Sequence, residues 1–156
     1  MVVRGRTPEA APVDDVALGT LEGVLGYHVA RAAVVTVGLF ERHVGERFGL
    51  RKVEFSILML LAANAALSPK RLGQVLLLSP PNLTLLLDRL QERSLLRRER
   101  NPLDGRSQNV VLTDVGRTLA AEAAAAACTM EAELSARLSF AEHAMLIELL
   151  RKATGR

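Results

Sequence analysis

The stretch "LSPPNLTLLLDRL", Leu78 to Leu90, carries the pattern that decides the fold. Ser79 followed by Pro80 is typical of a helix start, because serine can cap a free backbone N–H and proline at the first helical position needs none. Four leucines then recur at the spacing of one helical face, namely Leu83, Leu86, Leu87 and Leu90. Leu85 points roughly opposite that face, at about 100° per residue. The stretch therefore predicts a helix with a core face and one outward leucine.

A second helix with the same kind of start precedes this one. Ser68 and Pro69 open the segment "PKRLGQVLLL", and a very tight connection separates it from Ser79. Two short helices joined in this way form a helix-turn-helix pattern. Residues 95–113, "LLRRERNPLDGRSQNVVLT", then combine a turn signal at Asp104-Gly105 with a segment of strand propensity, which predicts a two-stranded hairpin.

Positive charge is concentrated in this module. The chain of 156 residues holds 20 Lys+Arg and 17 Asp+Glu, a net charge of only +3. Between residues 68 and 113, however, eight basic side chains accompany four acidic ones. Local positive charge on a helix-turn-helix is what a phosphate backbone requires, because each neutralised phosphate releases counterions. The pattern therefore predicts that the module binds DNA.

A long helix is predicted on the N-terminal side of the module. From Asp15 to about Glu46, residues recur at alternating spacings of three and four: Leu18, Leu21, Leu25, His28, Ala32, Val35 and Leu39. A helix of some 30 residues extends about 45 Å, more than a small domain needs. Its far end would be covered most easily by another helix or a second protomer. His28 is expected to be a core or interface residue.

Three further helices complete the pattern. Residues 53–67 predict a helix with four inward side chains: Phe55, Leu58, Ala62 and Ala65. Thr113 is expected to cap a long, alanine-rich helix. Ser139 and Glu142 form a capping box that opens a last helix. The inner side of that helix is expected to hold Met145, Leu146, Leu149 and Leu150.

Composition narrows the class of protein. Hydrophobic residues make up 49% of the chain but aromatic residues only 3%, which favours helices over sheets. Residues 1–14 are expected to be a flexible arm without a signal peptide. No later segment has about 18 uncharged apolar residues in a row, so we expect no membrane span. Cys128 is the single cysteine and is expected to be packed; a reducing cytoplasm fits this usage. We find no catalytic constellation and no metal-ligand spacing, so we expect no enzyme, cofactor or metal site.

The chain resembles the MarR family of transcriptional regulators over nearly its whole length. "LSPPNLTLLLDRLQERSLLRR" matches the family's recognition helix, and "NPLDGRSQNVVLTDVG" matches its wing, with the Asp104-x-Arg106 signature. The resemblance implies a mostly α, winged helix-turn-helix fold with long N- and C-terminal dimerisation helices and a two-stranded β wing. A single domain would span 15–156, with dimerisation helices at 15–48 and 114–156 and the DNA-binding module at 53–113.

The resemblance also implies a function. Members of the family are obligate homodimers that bind pseudo-palindromic operators, with half-sites about 10 bp apart. Many are repressors, and a small phenolic or aromatic acid relieves the repression. For this chain, such a ligand could contact Tyr27, His28, Arg31 and Met59, although core packing is the more common role of such residues. The peroxide-sensing branch places its cysteine in the first long helix, and no cysteine occurs there in this chain.

Site residues follow from the match and from the helix faces. Ser79 is expected to cap the recognition helix and bring its N–H groups near a phosphate. Arg106 corresponds to the wing arginine that enters the minor groove, and Asp104 to the residue that supports the wing. The DNA-contacting set is Lys70, Arg71, Ser79, Pro81, Asn82, Thr84, Leu85, Arg89, Arg98, Arg100 and Arg106.

Two residues depart from the family pattern. Ser94 replaces the glycine that usually follows the recognition helix, so the left-handed helix end is expected to be lost or modified. Leu85 replaces a polar or basic residue, and it is expected to pack on a thymine methyl in the major groove. The alternative function is a winged-helix module that binds a protein through the Leu85 surface and has lost specific DNA binding.

Overall fold

The computed structural model describes residues 16–100 and 108–155. Its helices and strands follow one another in this order: α1 (Leu25–Phe40), α2 (Glu46–Phe48), α3 (Lys52–Ala63), α4 (Pro69–Leu76), α5 (Pro80–Glu92), β1 (Leu96–Arg100), β2 (Gln108–Leu112), α6 (Asp114–Leu134) and α7 (Phe140–Ala153). The strands pair antiparallel, with Leu96 opposite Leu112 and Arg100 opposite Gln108. The predicted mostly helical fold with a two-stranded sheet is confirmed.

The predicted long helix from Asp15 to about Glu46 is wrong in its first part, because α1 begins only at Leu25. A 3₁₀ turn covers Gly19–Gly23, and Val24 leaves the helical conformation at φ −93° and ψ 101°. Gly19 adopts a left-handed φ of 55°, which glycine allows at no steric cost. After α1, a π-helical turn at Glu41–Gly45 leads into α2.

The chain divides into two units after Val35. Leu21, Leu25 and Val35 of the predicted stripe are exposed in the first unit. Leu39 and Phe40, which belong to the second unit, are buried. The first unit therefore carries exposed apolar side chains in its 3₁₀ turn and in α1.

The core of the second unit lies among α3, α4, α5, the hairpin and the first part of α6. Its fully buried side chains include Ile57, Leu58, Leu72, Leu87, Leu90, Leu96 and Val110. The expected inward face of α3 is only partly right. Leu58 is buried and Phe55 is half-buried against the Phe40 ring, at 5.7 Å between centroids. Ala62 is exposed because the buried face follows Glu54, Ile57 and Leu61 instead. Ala65 is exposed too, and it lies outside the helix, since α3 ends at Ala63 and not at Leu67 as predicted.

The start of α6 packs directly on the end of the recognition segment. The Thr113 hydroxyl oxygen accepts a hydrogen bond from Gly116 N at 3.0 Å, which confirms the predicted cap. The same hydroxyl donates to Ser94 O at 2.6 Å. A Cβ built on Gly116 would lie 1.8 Å from Leu95 O, so only glycine permits this approach of two backbones.

The C-terminal helix α7 has no buried residue. Its capping box is confirmed, since Ser139 N and Oγ both donate to the Glu142 carboxylate at 2.7 Å. These two bonds hold the pKa of Glu142 below its ordinary value. The expectation of an inner apolar side is wrong within one chain, because all four residues are exposed: Met145, Leu146, Leu149 and Leu150. Cys128 on α6 is exposed too, so its expected packing is wrong.

The π-helical turn is tied to the end of α6 by one carboxylate. Glu133 receives hydrogen bonds from His43 Nε2 at 2.8 Å and from Arg42 Nη2 at 2.9 Å. These bonds, the one from His43 first, lower the pKa of Glu133. None of the helices in residues 16–100 and 108–155 combines the length and the hydropathy of a membrane span.

Candidate DNA-binding surface

Three residues connect the two short helices of the module. Helix α4 begins after Ser68, whose hydroxyl oxygen accepts a hydrogen bond from Arg71 N at 3.3 Å. It ends at Leu77, which adopts a left-handed conformation at φ 55° and is highly exposed. Helix α5 then begins at Pro80. The predicted helix-turn-helix is therefore present, and α5 is its second, recognition helix.

The two faces of α5 differ as its leucine pattern predicted. Leu83, Leu87 and Leu90 are buried, and Leu86 is half-buried. The opposite face exposes Asn82, Thr84 and Leu85, and 64% of Leu85 is accessible to solvent. Pro81 is also exposed at the helix start. The outward face thus presents one amide, one β-branched side chain and one isobutyl group.

The expected side-chain cap at Ser79 is wrong. Ser79 occupies the N-cap position, but its side chain makes no capping hydrogen bond. An N-cap side chain normally accepts from the second or third helical residue, and here the second is Pro81, which has no N–H. Pro80 and Pro81 leave Asn82 as the one residue with an N–H among the first three of α5. The helix start is therefore a weaker phosphate site than expected.

The Thr84 hydroxyl is occupied within the helix. It donates to Pro80 O at 2.9 Å, so its proton is not available to a base. The hydroxyl oxygen can still accept a hydrogen bond, and a methyl group remains for apolar contact. Thr84 therefore resembles Leu85 more than Asn82 in what it offers to a base edge.

Arg89 forms an ion pair that sequence reasoning missed. Its Nε lies 3.6 Å from Oε1 of Glu54, a charged residue that is only 1% exposed. The other carboxylate oxygen accepts from Arg51 N at 2.9 Å. Glu54 therefore accepts from the free N–H at the start of α3 and links α3 to the recognition helix through Arg89. The bond to Arg51 N had a sequence signal, because a glutamate at the third helical position commonly bonds back to the helix start, whereas the pair with Arg89 had none.

Arg93 also has a structural role. Its guanidinium donates to Gly49 O at 2.7 Å and to Phe48 O at 2.9 Å. These carbonyls lie at the end of α2, where Gly49 adopts a left-handed φ of 60°. Arg93 thus satisfies helix-end acceptors and joins α5 to the preceding helix.

The wing strand β1 contributes arginines to both of its faces. Arg98 donates to Asp88 at 2.6 Å and to Gln91 at 2.8 Å, both on α5. Arg97, on the other face, pairs with Glu99 at 2.5 Å. Lys70, Arg71 and Arg100 are exposed, and none forms an ion pair with another residue in the described ranges. Asp104 and Arg106, the predicted wing pair, lie outside the described residues.

Ser94 adopts the left-handed conformation that was expected to be lost or modified. Its φ is 57°, and its N–H donates to Gln91 O at 2.8 Å. Leu95 N then donates to Leu90 O at 2.9 Å. The helix end is therefore kept in spite of the serine, and the backbone turns directly into β1.

The candidate ligand residues lie in both units. In the first unit, the rings of Tyr27 and His28 meet edge to face at 5.4 Å, and the guanidinium of Arg31 lies 5.8 Å from the Tyr27 ring. In the second unit, Met59 lines a groove of about 410 Å³ between α3 and α6, with Ala62, Ala120, Ala124, Asn64 and Arg117 among its other residues. Among the described residues, no group of three or more His, Cys, Asp or Glu could hold a metal ion.

The helix-turn-helix followed by an antiparallel hairpin defines a winged-helix DNA-binding protein. The family model of the MarR family matches residues 48–107. The uncharacterized HTH-type transcriptional regulator YkoM of Bacillus subtilis (strain 168) is 31% identical over 127 residues, which cover 81% of this chain and 82% of YkoM. The chain belongs to the MarR family, and it is a DNA-binding transcriptional regulator.

Two solved structures are similar over most of the chain. One is the transcriptional repressor CouR bound to a 23-mer DNA duplex: its TM-score is 0.83 at 30% identity, covering 90% of this chain and 99% of CouR. The other is BpsR of Bordetella bronchiseptica, whose DNA binding is regulated by 6-hydroxynicotinic acid. Its TM-score is 0.79 at 25% identity, covering 86% of this chain and 96% of BpsR.

Proposed function

We propose that this protein is a homodimeric repressor that binds a pseudo-palindromic operator and is released from it by a small aromatic acid. The observation that carries the proposal is the outward face of α5, where Asn82, Thr84 and Leu85 are exposed opposite a buried leucine face. The similarity to CouR, a repressor bound to duplex DNA, supports it.

Each group on this face suits a particular part of the duplex. The Asn82 amide can pair with adenine in the major groove, while Leu85 and the Thr84 methyl can pack on thymine methyls. Lys70 and Arg71 on α4 are expected to meet phosphates, which fix the position of the protein without reading sequence. Arg106 is expected to enter the minor groove.

The dimer is supported by apolar surface that a single chain leaves uncovered. On α7 and just before it, seven large apolar side chains are exposed: Leu138, Phe140, Met145, Leu146, Ile147, Leu149 and Leu150. Soluble monomers rarely expose large contiguous apolar patches, and such patches mark interfaces. A twofold dimer would place two α5 helices on half-sites about one helical turn apart.

The proposal that a ligand controls DNA binding is supported by the similarity to BpsR and by side chains that could bind an aromatic acid. In the first unit, the Tyr27 ring and the Arg31 guanidinium suit a ring with a carboxylate. In the second unit, the groove beside Met59 lies by itself within the usual volume range for small ligands. To release DNA, the ligand must bind more tightly to the conformation that cannot bind DNA.

The test uses the purified chain and labelled duplexes from the DNA upstream of its coding frame. Fluorescence anisotropy is expected to show binding to an inverted repeat that falls about 10³- to 10⁵-fold between 50 and 200 mM salt. Adding 6-hydroxynicotinate and related aromatic acids is expected to weaken it. Binding that is insensitive to salt and sequence would contradict the proposal and favour protein recognition through Leu85.

A further inference from the structure

A guanidinium on the wing strand bridges back to the recognition helix. Arg98 Nη2 donates to Asp88 Oδ1 at 2.6 Å, and Arg98 Nη1 donates to Gln91 Oε1 at 2.8 Å. Asp88 and Gln91 lie three residues apart, so they are neighbours on one side of α5. We call these three side chains the helix–wing clamp.

Arg98, one of the arginines expected to contact DNA, is bonded within the clamp instead. The Arg98 side chain is 24% exposed, whereas that of Arg97 on the opposite face of β1 is 61% exposed. Two of the three nitrogens of the Arg98 guanidinium already donate to side-chain oxygens at short distances. A phosphate would have to compete with a charged acceptor that is already in place.

The location of the clamp suits a role in setting the wing angle. Helix α5 ends at Glu92 and β1 begins at Leu96, so a short turn through the left-handed Ser94 is the covalent link. Pairing with β2 holds the hairpin together internally, with Arg98 opposite Val110. Leu95 and Leu96 anchor its base in the core. Beyond that base, Arg98 is the side chain through which β1 bonds to α5 in the described structure.

We propose that Arg98 is a positioning residue, which fixes the wing relative to α5 so that minor-groove and major-groove contacts form together. This inference rests on the proposed function, because it requires DNA binding by both the helix and the wing. Rigid placement of two contact elements raises affinity because less motion is lost on binding.

Two substitutions at opposite ends of the clamp test the inference. If Arg98 positions the wing, Arg98→Ala and Asp88→Ala break the same contact, and each is expected to weaken operator binding by about threefold to tenfold. The double variant is expected to be no weaker than either single one. If Arg98 bound a phosphate instead, Asp88→Ala would remove a competing negative charge and tighten binding.

Salt dependence and footprinting separate positioning from a loss of stability. Arg98→Ala is expected to keep the wild-type slope of log K against log salt, whereas the control Arg100→Ala is expected to reduce the magnitude of that slope by about 0.9 for each protomer of the dimer. Hydroxyl-radical footprints of Arg98→Ala are expected to lose minor-groove protection at the flanks, while the major-groove guanines contacted through α5 remain protected from methylation.

Each result has a definite reading. Three results would contradict the positioning role of Arg98. They are opposite effects of the two substitutions on affinity, a reduced salt slope for Arg98→Ala, and an unchanged footprint at the flanks. If the wild-type protein binds no duplex, the proposed function is contradicted. If the wild-type protein binds its operator specifically but Arg98→Ala and Asp88→Ala change the affinity by different amounts, only the positioning role of Arg98 is contradicted. Thermal melting of each variant identifies any that is unfolded, and Arg98→Lys then replaces Arg98→Ala, because lysine cannot donate to both acceptors in the same fixed geometry.

Discussion

At the scale of single residues, most arginines of the basic module are occupied within the protein. Arg89 pairs with Glu54, Arg93 bonds to helix-end carbonyls, Arg97 pairs with Glu99, and Arg98 bonds to Asp88 and Gln91. A count of charges along the sequence predicted the location of the surface. It could not predict which charges remain available, because that depends on partners such as Glu54, which lies 35 positions from Arg89 in the sequence.

Leu85 was separated correctly from its leucine neighbours by helical spacing alone. Its exposure on α5 leads to a prediction: Leu85→Ala is expected to weaken binding by about 1 kcal/mol or more at an operator with thymine at the contacted position. A duplex with cytosine at that position has no such methyl, so the loss there is expected to be much smaller. Competition anisotropy with the two duplexes measures the difference.

A matched control for Leu85 lies elsewhere on the surface. Val115, at the start of α6, is 60% exposed and thus comparably accessible. Val115→Ala is expected to leave the preference between the two duplexes unchanged. An equal loss on both duplexes for Leu85→Ala would contradict the methyl contact and favour a partner-binding surface.

At the scale of elements, helix ends were predictable where the donor and the acceptor of the capping bond lie within a few residues of each other in the sequence. Ser68, Thr113 and Ser139 each accept from the third helical residue, as capping rules require. Ser79 makes no such bond, although Asn82 at the third helical position has an N–H. The end of α5 was mispredicted for a different reason. Its left-handed turn also makes a tertiary contact, the bond from Thr113 Oγ1 to Ser94 O, 19 positions away.

The left-handed Ser94 leads to a prediction about stability. Ser94→Gly is expected to raise the free energy of unfolding by about 1 kcal/mol, because a non-glycine residue pays a steric cost at φ 57°. The bond from Thr113 uses the backbone oxygen of residue 94 and survives the substitution. Urea denaturation monitored by circular dichroism measures the change.

Alanine provides the control at the same position. Ser94→Ala removes the hydroxyl but keeps the Cβ, so it is expected to leave the stability unchanged or slightly lower. Equal stabilisation by glycine and alanine would show that the hydroxyl, and not the backbone conformation, limits stability there.

At the scale of the whole molecule, the sequence predicted apolar helix faces, but it could not say which chain covers them. The side of α7 expected to face inward carries Leu146 and Leu149, and both are exposed in the single chain. Helical periodicity reports that a face is apolar, and it does so equally for a core and for an interface. The need for a second protomer, inferred from the first long helix, stays a prediction for both ends of the chain.

The dimer prediction is tested by charge on α7. A double variant, Leu146→Glu with Leu149→Glu, is expected to shift the protein from dimer to monomer, because two carboxylates would be buried without partners in the interface. Analytical ultracentrifugation measures the mass of the protein in solution, and operator affinity is expected to decrease when the dimer is lost. Lys152→Glu, which breaks only the exposed pair with Glu148, is the control and is expected to remain dimeric.

The paired prolines at the start of the recognition helix have a spectroscopic consequence. Pro80 and Pro81 carry no amide proton, so the first backbone signal of α5 in an amide-exchange or ¹⁵N-correlation experiment comes from Asn82. That amide lies at the end of the helix that would approach DNA, and it is the sole backbone reporter of the first three helical positions. A single resolved peak would therefore follow how the recognition helix meets the duplex.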